Sequence, residues 1–279
     1  MKIDLIKEKL ACPVCKNKLV IEESIIVCAS CGRKYPQDTR GCINLLPVDI
    51  LRGKNSDIWH KRQKVYRDWF TNIWNERLAL ITKSLYDEYS EYVGEVMGLT
   101  LDIGCGSGHF KSYLKRADYI GIEPLEKFTD LNYNIQFMDK LFPHCKEECV
   151  FINSVGEFLP FENGSFGHIF INNVLDHVSS PRKVLDEACR VLKPNGRLFM
   201  ICESQAMLRK ILGRPLKDIF YSIVNRISTL LVCRSLTAPH LKINNKELIQ
   251  WLKEGFAVNS MLSAKKTHIF IRAIKQHNA

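Results

Sequence analysis

The stretch Leu101-Asp-Ile-Gly-Cys-Gly-Ser-Gly108 constrains this chain more than any other. A short apolar run, TLDIG, breaks into three glycines spaced two apart, and the amphipathic run HFKSYLKRA follows. A strand that turns sharply through glycines into a helix is the first half of a β-α-β unit. The pattern continues downstream, where YIGIEP, VFINS, GHIFINN and GRLFMICE read as strands. Between the last two, SPRKVLDEACRVL reads as a helix. Ser180 is its N-cap, Pro181 lies in its first turn, and Val184, Leu185, Ala188, Val191 and Leu192 share one face. Lys193-Pro194-Asn195-Gly196 ends it. Strands alternating with amphipathic helices predict an α/β fold built on a mostly parallel sheet.

The first fifty residues are different in kind. Cys12-Pro-Val-Cys15 and Cys28-Ala-Ser-Cys31 are two C-x-x-C pairs separated by twelve residues. Two thiolates three positions apart on a tight turn can point at one ion, and two such turns complete a tetrahedron. Thiolate-only ligation selects Zn²⁺ over Mg²⁺ or Ca²⁺, and four protein ligands leave no open position, so the site is expected to be structural. An iron centre, or a ribbon held by its small core alone, are the alternatives. Cys42 falls outside the spacing and reads as a buried thiol. The expected organisation is a β-rich zinc ribbon over residues 1–50, a helical linker over 51–95, and the α/β domain over 96–279 with a helical insertion at about 204–236. The linker reading rests on its aromatics (Trp59, Tyr66, Trp69, Phe70, Trp74, Tyr86, Tyr89, Tyr92) and on its lack of proline.

The glycine loop points to a particular ligand. A dinucleotide fingerprint G-x-G-x-x-G needs glycine at 109, where His109 stands. Asp102 just before the glycines repels a pyrophosphate and suits a ligand carrying an ammonium and a sulfonium. Glu123, ending the second strand, is placed to accept hydrogen bonds from two ribose hydroxyls. Together these fit S-adenosylmethionine. The alternative is a glycine-rich turn in another kind of α/β enzyme.

These motifs resemble those of class I S-adenosylmethionine-dependent methyltransferases of the type 11 group. LDIGCGSGHF resembles the group's first motif and IGIEP its second. EFLPFENGSFGHIFINNVLDHVSSPRKVLDEACRVLKPNGRLFM resembles the stretch that follows, so most of residues 100–203 is covered. The resemblance implies a Rossmann-like fold in which Asp102, Gly104 and Gly106 hold the methionine end and Glu123 the ribose. It places Gly156 and Glu157 near the adenine, and Asn172 and Asn173 facing cofactor and substrate. Residues 1–50 resemble the small zinc-ribbon family that activates eukaryotic methyltransferases. Two positions depart from the pattern: Val155 stands where an aspartate usually meets the adenine amino group, and Gly167 replaces the aspartate of "SFD".

Methyl transfer from a sulfonium is an in-line displacement, and much of its rate can come from alignment. An amine needs little more, whereas a hydroxyl or carbon acid needs a base. The candidates are His177, the adjacent Asp176, Glu203 and His240. Histidines that merely line the pocket or bond a loop are the bland alternative.

Three functions follow. The first is methylation of a small-molecule, glycosyl or lipid-linked acceptor. The second is methylation of an rRNA or tRNA base, favoured by the ribbon and by charge: residues 201–279 hold 13 Lys/Arg against 4 Asp/Glu, nearly the whole net charge of +10. The third is a non-catalytic binding module that keeps the fold. The basic, amphipathic 206–236 reads as a lid over the site, as a contact with an anionic membrane, or as an ordinary packed helix. No apolar run is long enough to span a bilayer and no export signal is evident, so a cytoplasmic location is expected.

Overall fold

The computed structural model describes residues 4–22, 24–37, 43–51, 76–124, 140–143, 150–203, 245–264 and 268–276, with the single residues Lys64 and Ile243. The insertion 206–236, His240, Cys42 and the linker aromatics from Trp59 to Trp74 lie outside them.

The N-terminal unit opens with a one-turn helix, α1 (Asp4–Lys7), followed by β1 (Leu19–Ile21), β2 (Ile25–Cys28) and β3 (Lys34–Pro36). These three strands form an antiparallel sheet in the order β1-β2-β3. Next come β4 (Ile43–Asn44), the short helix α2 (Val48–Leu51) and the long helix α3 (Glu76–Val93). The α/β part contains β5 (Gly98–Ile103), β6 (Ala117–Ile122), β7 (Val150–Asn153), β8 (Phe166–Asn172), α4 (Pro181–Val191), β9 (Leu192–Glu203), α5 (Asn245–Gly255), β10 (Phe256–Ala264) and β11 (His268–Lys275). Its eight-stranded sheet has the order β10-β11-β9-β8-β5-β6-β7-β4. The strands from β9 to β4 run parallel, and β11 and β10 are antiparallel at one edge. The mostly parallel α/β architecture read from the sequence is the one observed.

Helices cover both faces of the sheet. On one, α3 buries Leu85, Tyr89 and Val93 against Phe110, Tyr119, Phe170, Phe199 and Phe270. On the other, α4 buries Val184, Leu185, Ala188 and Val191. Ser180 caps α4 by accepting the Lys183 N–H, with Pro181 in its first turn, as the sequence predicts. The amphipathic run after the glycines does not make the expected helix. It forms only a five-residue 3₁₀ turn, His109–Tyr113, because β6 already begins at Ala117.

The ribbon does not stand apart. Ile6, Leu10, Cys12, Ile26, Cys28 and Tyr35 belong to the same buried cluster as Leu101, Ile103, Ile152, Leu159 and Phe161. β4 extends the large sheet by pairing in parallel with β7, Ile43 opposite Ile152 and Asn44 opposite Asn153. Leu10 bridges Phe161, flanked by Ala11 N–H to Pro160 O at 3.0 Å and Glu162 N–H to Lys9 O at 2.9 Å. A segment this short buries little apolar area alone, and here it borrows the core of its neighbour.

Candidate cofactor site and zinc centre

In an open parallel sheet, ligands bind beyond the carboxyl ends of the strands where the strand order reverses. Here that point is β5, whose neighbours β6 and β8 lie on either side. The glycine loop leaves β5 there. Gly104 and Cys105 both donate their N–H groups to Ile122 O, at 2.8 and 3.0 Å, which folds the loop back over β6. Gly104 has φ +68° and a Cβ on it would lie 2.5 Å from Val174 Cγ2, so the position admits only glycine without movement. The Gly106 N–H donates to Glu123 Oε2 at 3.0 Å, tying the loop to the end of β6.

The carboxyl edge of the sheet collects polar atoms that the described residues do not satisfy. Asp102, only 2% exposed, accepts the Tyr119 hydroxyl on Oδ2 at 2.7 Å, while its Oδ1 has no hydrogen-bond partner among the described residues. Burial, opposed by Tyr119 and reinforced by the charge of Glu123, pushes the Asp102 carboxyl up to about 7. Both side-chain atoms of Asn172 and the Oδ1 atoms of Asn173 and Asn153 are likewise buried without partners. Asn173 holds a left-handed backbone, φ 55°, and donates its N–H to Ile201 O at 2.9 Å. Buried polar groups are nearly always paired in a folded protein. Such a row at the ends of β5, β7 and β8 fits a polar ligand seated across them, and Asp102 Oδ1 suits its ammonium. Asn153 was not singled out from the sequence. Its place as the last residue of a strand at the ligand edge is the signal that finds it.

The other candidates have identifiable surroundings. Gly156 opens the 3₁₀ turn Gly156–Phe158, and a Cβ on it would press on Ile103 and Val184. The Glu157 carboxylate accepts the N–H groups of Ser179 and Ser180 at 2.7 and 3.2 Å, so it anchors the entry to α4. Val155 is 2% exposed. His177 Nε2 lies 3.5 Å from Asp176 Oδ2, and both side chains are about a quarter exposed at the loop after β8. His109 bonds Ser107 and stacks on Phe142 with ring centroids 4.8 Å apart; burial holds it down to about 3, so it is neutral. Glu203 ends β9. A groove of about 610 Å³ opens at the opposite, amino-terminal edge of the sheet, lined by Trp251, Cys189 and Lys275 among others, and contains none of these residues.

The four cysteine sulfurs lie within 4.8 Å of one another. Zinc–thiolate bonds of about 2.3 Å place tetrahedral sulfurs about 3.8 Å apart. The Cys12–Cys31 and Cys15–Cys28 separations of 3.7 and 3.4 Å agree with that. The arrangement fits a closed, structural zinc centre, with Tyr35 Oη 3.3 Å from Cys12 Sγ.

Comparison with known proteins matches both parts of the chain. The family described as "Methyltransferase domain" matches residues 101–200, and that described as "Trm112p-like protein" matches residues 8–36. An uncharacterised protein of Methanocaldococcus jannaschii is 27% identical over 72% of this chain and 81% of its own length. A human thiol S-methyltransferase is 28% identical over 47% of this chain, and a Lactococcus lactis demethylmenaquinone methyltransferase 31% over 42%. The chain spans about half the length of these last two, 54% and 46%. The fold is shared with an S-adenosylmethionine-dependent methyltransferase of Thermotoga maritima, with TM-score 0.51, 20% identity, and coverage of 78% of this chain and 100% of that one. It is also shared with a chain of the complex between the Haloferax volcanii Trm112 methyltransferase activator and a protein described as a methyltransferase, with TM-score 0.50, 12% identity, and coverage of 76% and 98%. Residues 101–200 are a methyltransferase domain and residues 8–36 a Trm112p-like zinc ribbon, and the chain is an S-adenosylmethionine-dependent methyltransferase.

Proposed function

We propose that the acceptor is a small molecule, methylated at the carboxyl edge of β5 and β8. The observation that carries this reading is the charge of the described residues around the site. Residues 102–109, 123, 153–158 and 172–178 contain Asp102, Glu123, Glu157 and Asp176 and no Lys or Arg. A polynucleotide brings one phosphate per residue and needs cations along its path, and these described residues offer none. The names of the human and Lactococcus relatives point the same way.

S-adenosylmethionine supplies, when bound, a methyl group on a sulfonium that leaves as a neutral thioether. Asp102 would take the ammonium of its methionine end, the glycine loop would let the backbone approach it closely, and Glu123 would accept from the ribose hydroxyls. Gly156 and Glu157 would lie toward the adenine, and Asn172 and Asn173 toward cofactor and acceptor. His177, steadied by Asp176, removes a proton from the acceptor. His240 and Glu203 remain further candidates from the sequence.

A second reading, methylation of an RNA base, is favoured by the ribbon and by the basic C-terminal 79 residues. Titration with bulk tRNA and rRNA across salt separates the two. RNA binding that weakens steeply as salt rises favours the second reading. Absent or salt-insensitive binding, with tight S-adenosylmethionine binding by calorimetry, favours the first. A protein that binds no S-adenosylmethionine is neither.

A further inference from the structure

The two zinc knuckles are near-copies. In each, the carbonyl of the first cysteine accepts an N–H four residues on, Lys16 to Cys12 at 2.9 Å and Gly32 to Cys28 at 3.0 Å. Both donating residues have positive φ, 69° at Gly32 and 63° at Lys16. Glycine adopts that conformation freely and a lysine does not, so the Lys16 side chain must return something for its place.

Its ammonium reaches out of the ribbon. Lys16 Nζ donates to Pro13 O at 2.8 Å and to Leu159 O at 3.2 Å, and pairs with Glu187 Oε2 of α4 at 2.5 Å. The same Glu187 oxygen accepts the Leu159 N–H at 2.8 Å. Arg190 pairs with Glu187 and donates to Leu159 O at 3.1 Å and Phe161 O at 2.7 Å. Both polar groups of Leu159's main chain are therefore held by charged side chains, and one of these comes from the ribbon. Leu159 directly follows the turn Gly156–Phe158. On the turn's other side, Ser154 Oγ donates to Leu45 O and Phe158 O, at 3.4 and 3.3 Å.

We propose that Lys16 is a positioning residue for the cofactor site: through Glu187 and the Leu159 main chain it fixes the 154–158 turn, although it touches no ligand. This rests on the reading that the turn borders the adenine. The pair is partly buried, and Arg190 holds the same carboxylate from within α4, so Lys16 is the one charged partner that ties this cluster to the ribbon.

The test measures S-adenosylhomocysteine affinity by calorimetry on the zinc-loaded full chain, together with amide hydrogen exchange over 154–159, well below the melting temperature. Lys16→Met is expected to weaken binding about tenfold and to speed exchange in the turn, and Lys16→Arg to recover most of both. Glu187→Gln keeps an acceptor for the Leu159 N–H but drops the charge, so it should repeat the loss, and it carries the test should Lys16→Met fail to fold. A Lys16→Met protein that melts lower yet binds as the wild type overturns the proposal and leaves the cofactor reading standing. Wild-type protein that binds no S-adenosylhomocysteine overturns both.

Discussion

Tyr119 donates its phenolic hydrogen to Asp102 Oδ2 at 2.7 Å, while the other oxygen of that carboxylate is buried without a partner among the described residues. Burial raises the carboxyl to about 7, and the Tyr119 bond works against the rise. Below that pH the group holds a proton and attracts an ammonium poorly. Cofactor affinity should therefore climb as pH rises through about 7, and Tyr119→Phe should move the midpoint upward. Stability runs the other way. The folded carboxyl keeps its proton above the unfolded value, so this group's contribution is full at acid pH and is lost as pH rises through about 7. Calorimetric titrations and thermal melts over the same pH series check both signs; a pH-independent affinity would place the ammonium elsewhere.

Gly104 and Val174 form a second coupled pair, since a Cβ at 104 would meet Val174 Cγ2 at 2.5 Å. Gly104→Ala should cost roughly 1–3 kcal/mol of stability from overpacking and weaken cofactor binding. Val174→Ala removes the clash but leaves the positive φ, so the double variant should regain part of the loss. A double-mutant cycle in denaturant, run with and without cofactor, reads the coupling directly. Simple additivity would show that the loop relaxes away from Val174.

Much of this was legible in the residues. Cysteine spacing announces the thiolate cluster, and the glycines after Asp102 announce the sharp turn that leaves β5. Ser180-Pro181 marks the start of α4 to the residue. What escaped has physical reasons. The two-residue strand Ile43–Asn44 carries no periodicity, and its place beside β7 is fixed by a core shared with residues more than a hundred positions away. HFKSYLKRA has helical spacing, yet the onset of β6 at Ala117 leaves room for one 3₁₀ turn only. Lys16 looks like a surface lysine until its partners on α4 are known.

The shared core changes what metal removal should do. A strong chelator is expected to release one zinc per chain, because four thiolates in a closed cluster hold a single ion. With Leu10, Cys12, Ile26 and Tyr35 in one buried cluster with Leu159 and Phe161, loss of the knuckles should expose the neighbouring domain as well. Apo protein should melt earlier in one cooperative transition monitored by circular dichroism, and Cys12→Ser should behave like the chelated protein. Separate transitions for residues 1–50 and the methyltransferase domain would show that the two fold independently.

His177 and Asp176 sit together on the loop after β8, Nε2 to Oδ2 3.5 Å, a few residues past Asn172 and Asn173 in the chain. If His177 removes the acceptor proton, His177→Asn should lower kcat by about a hundredfold and leave the cofactor dissociation constant within about twofold, because general-base work is done only in the chemical step. Asp176→Asn should lower kcat less, since it steadies the imidazole without meeting the acceptor. Steady-state kinetics with a screened acceptor, paired with calorimetry on the same preparations, separates the two effects. Unchanged turnover in His177→Asn would mean an acceptor that needs no base, such as an amine, and would return His177 to lining the pocket.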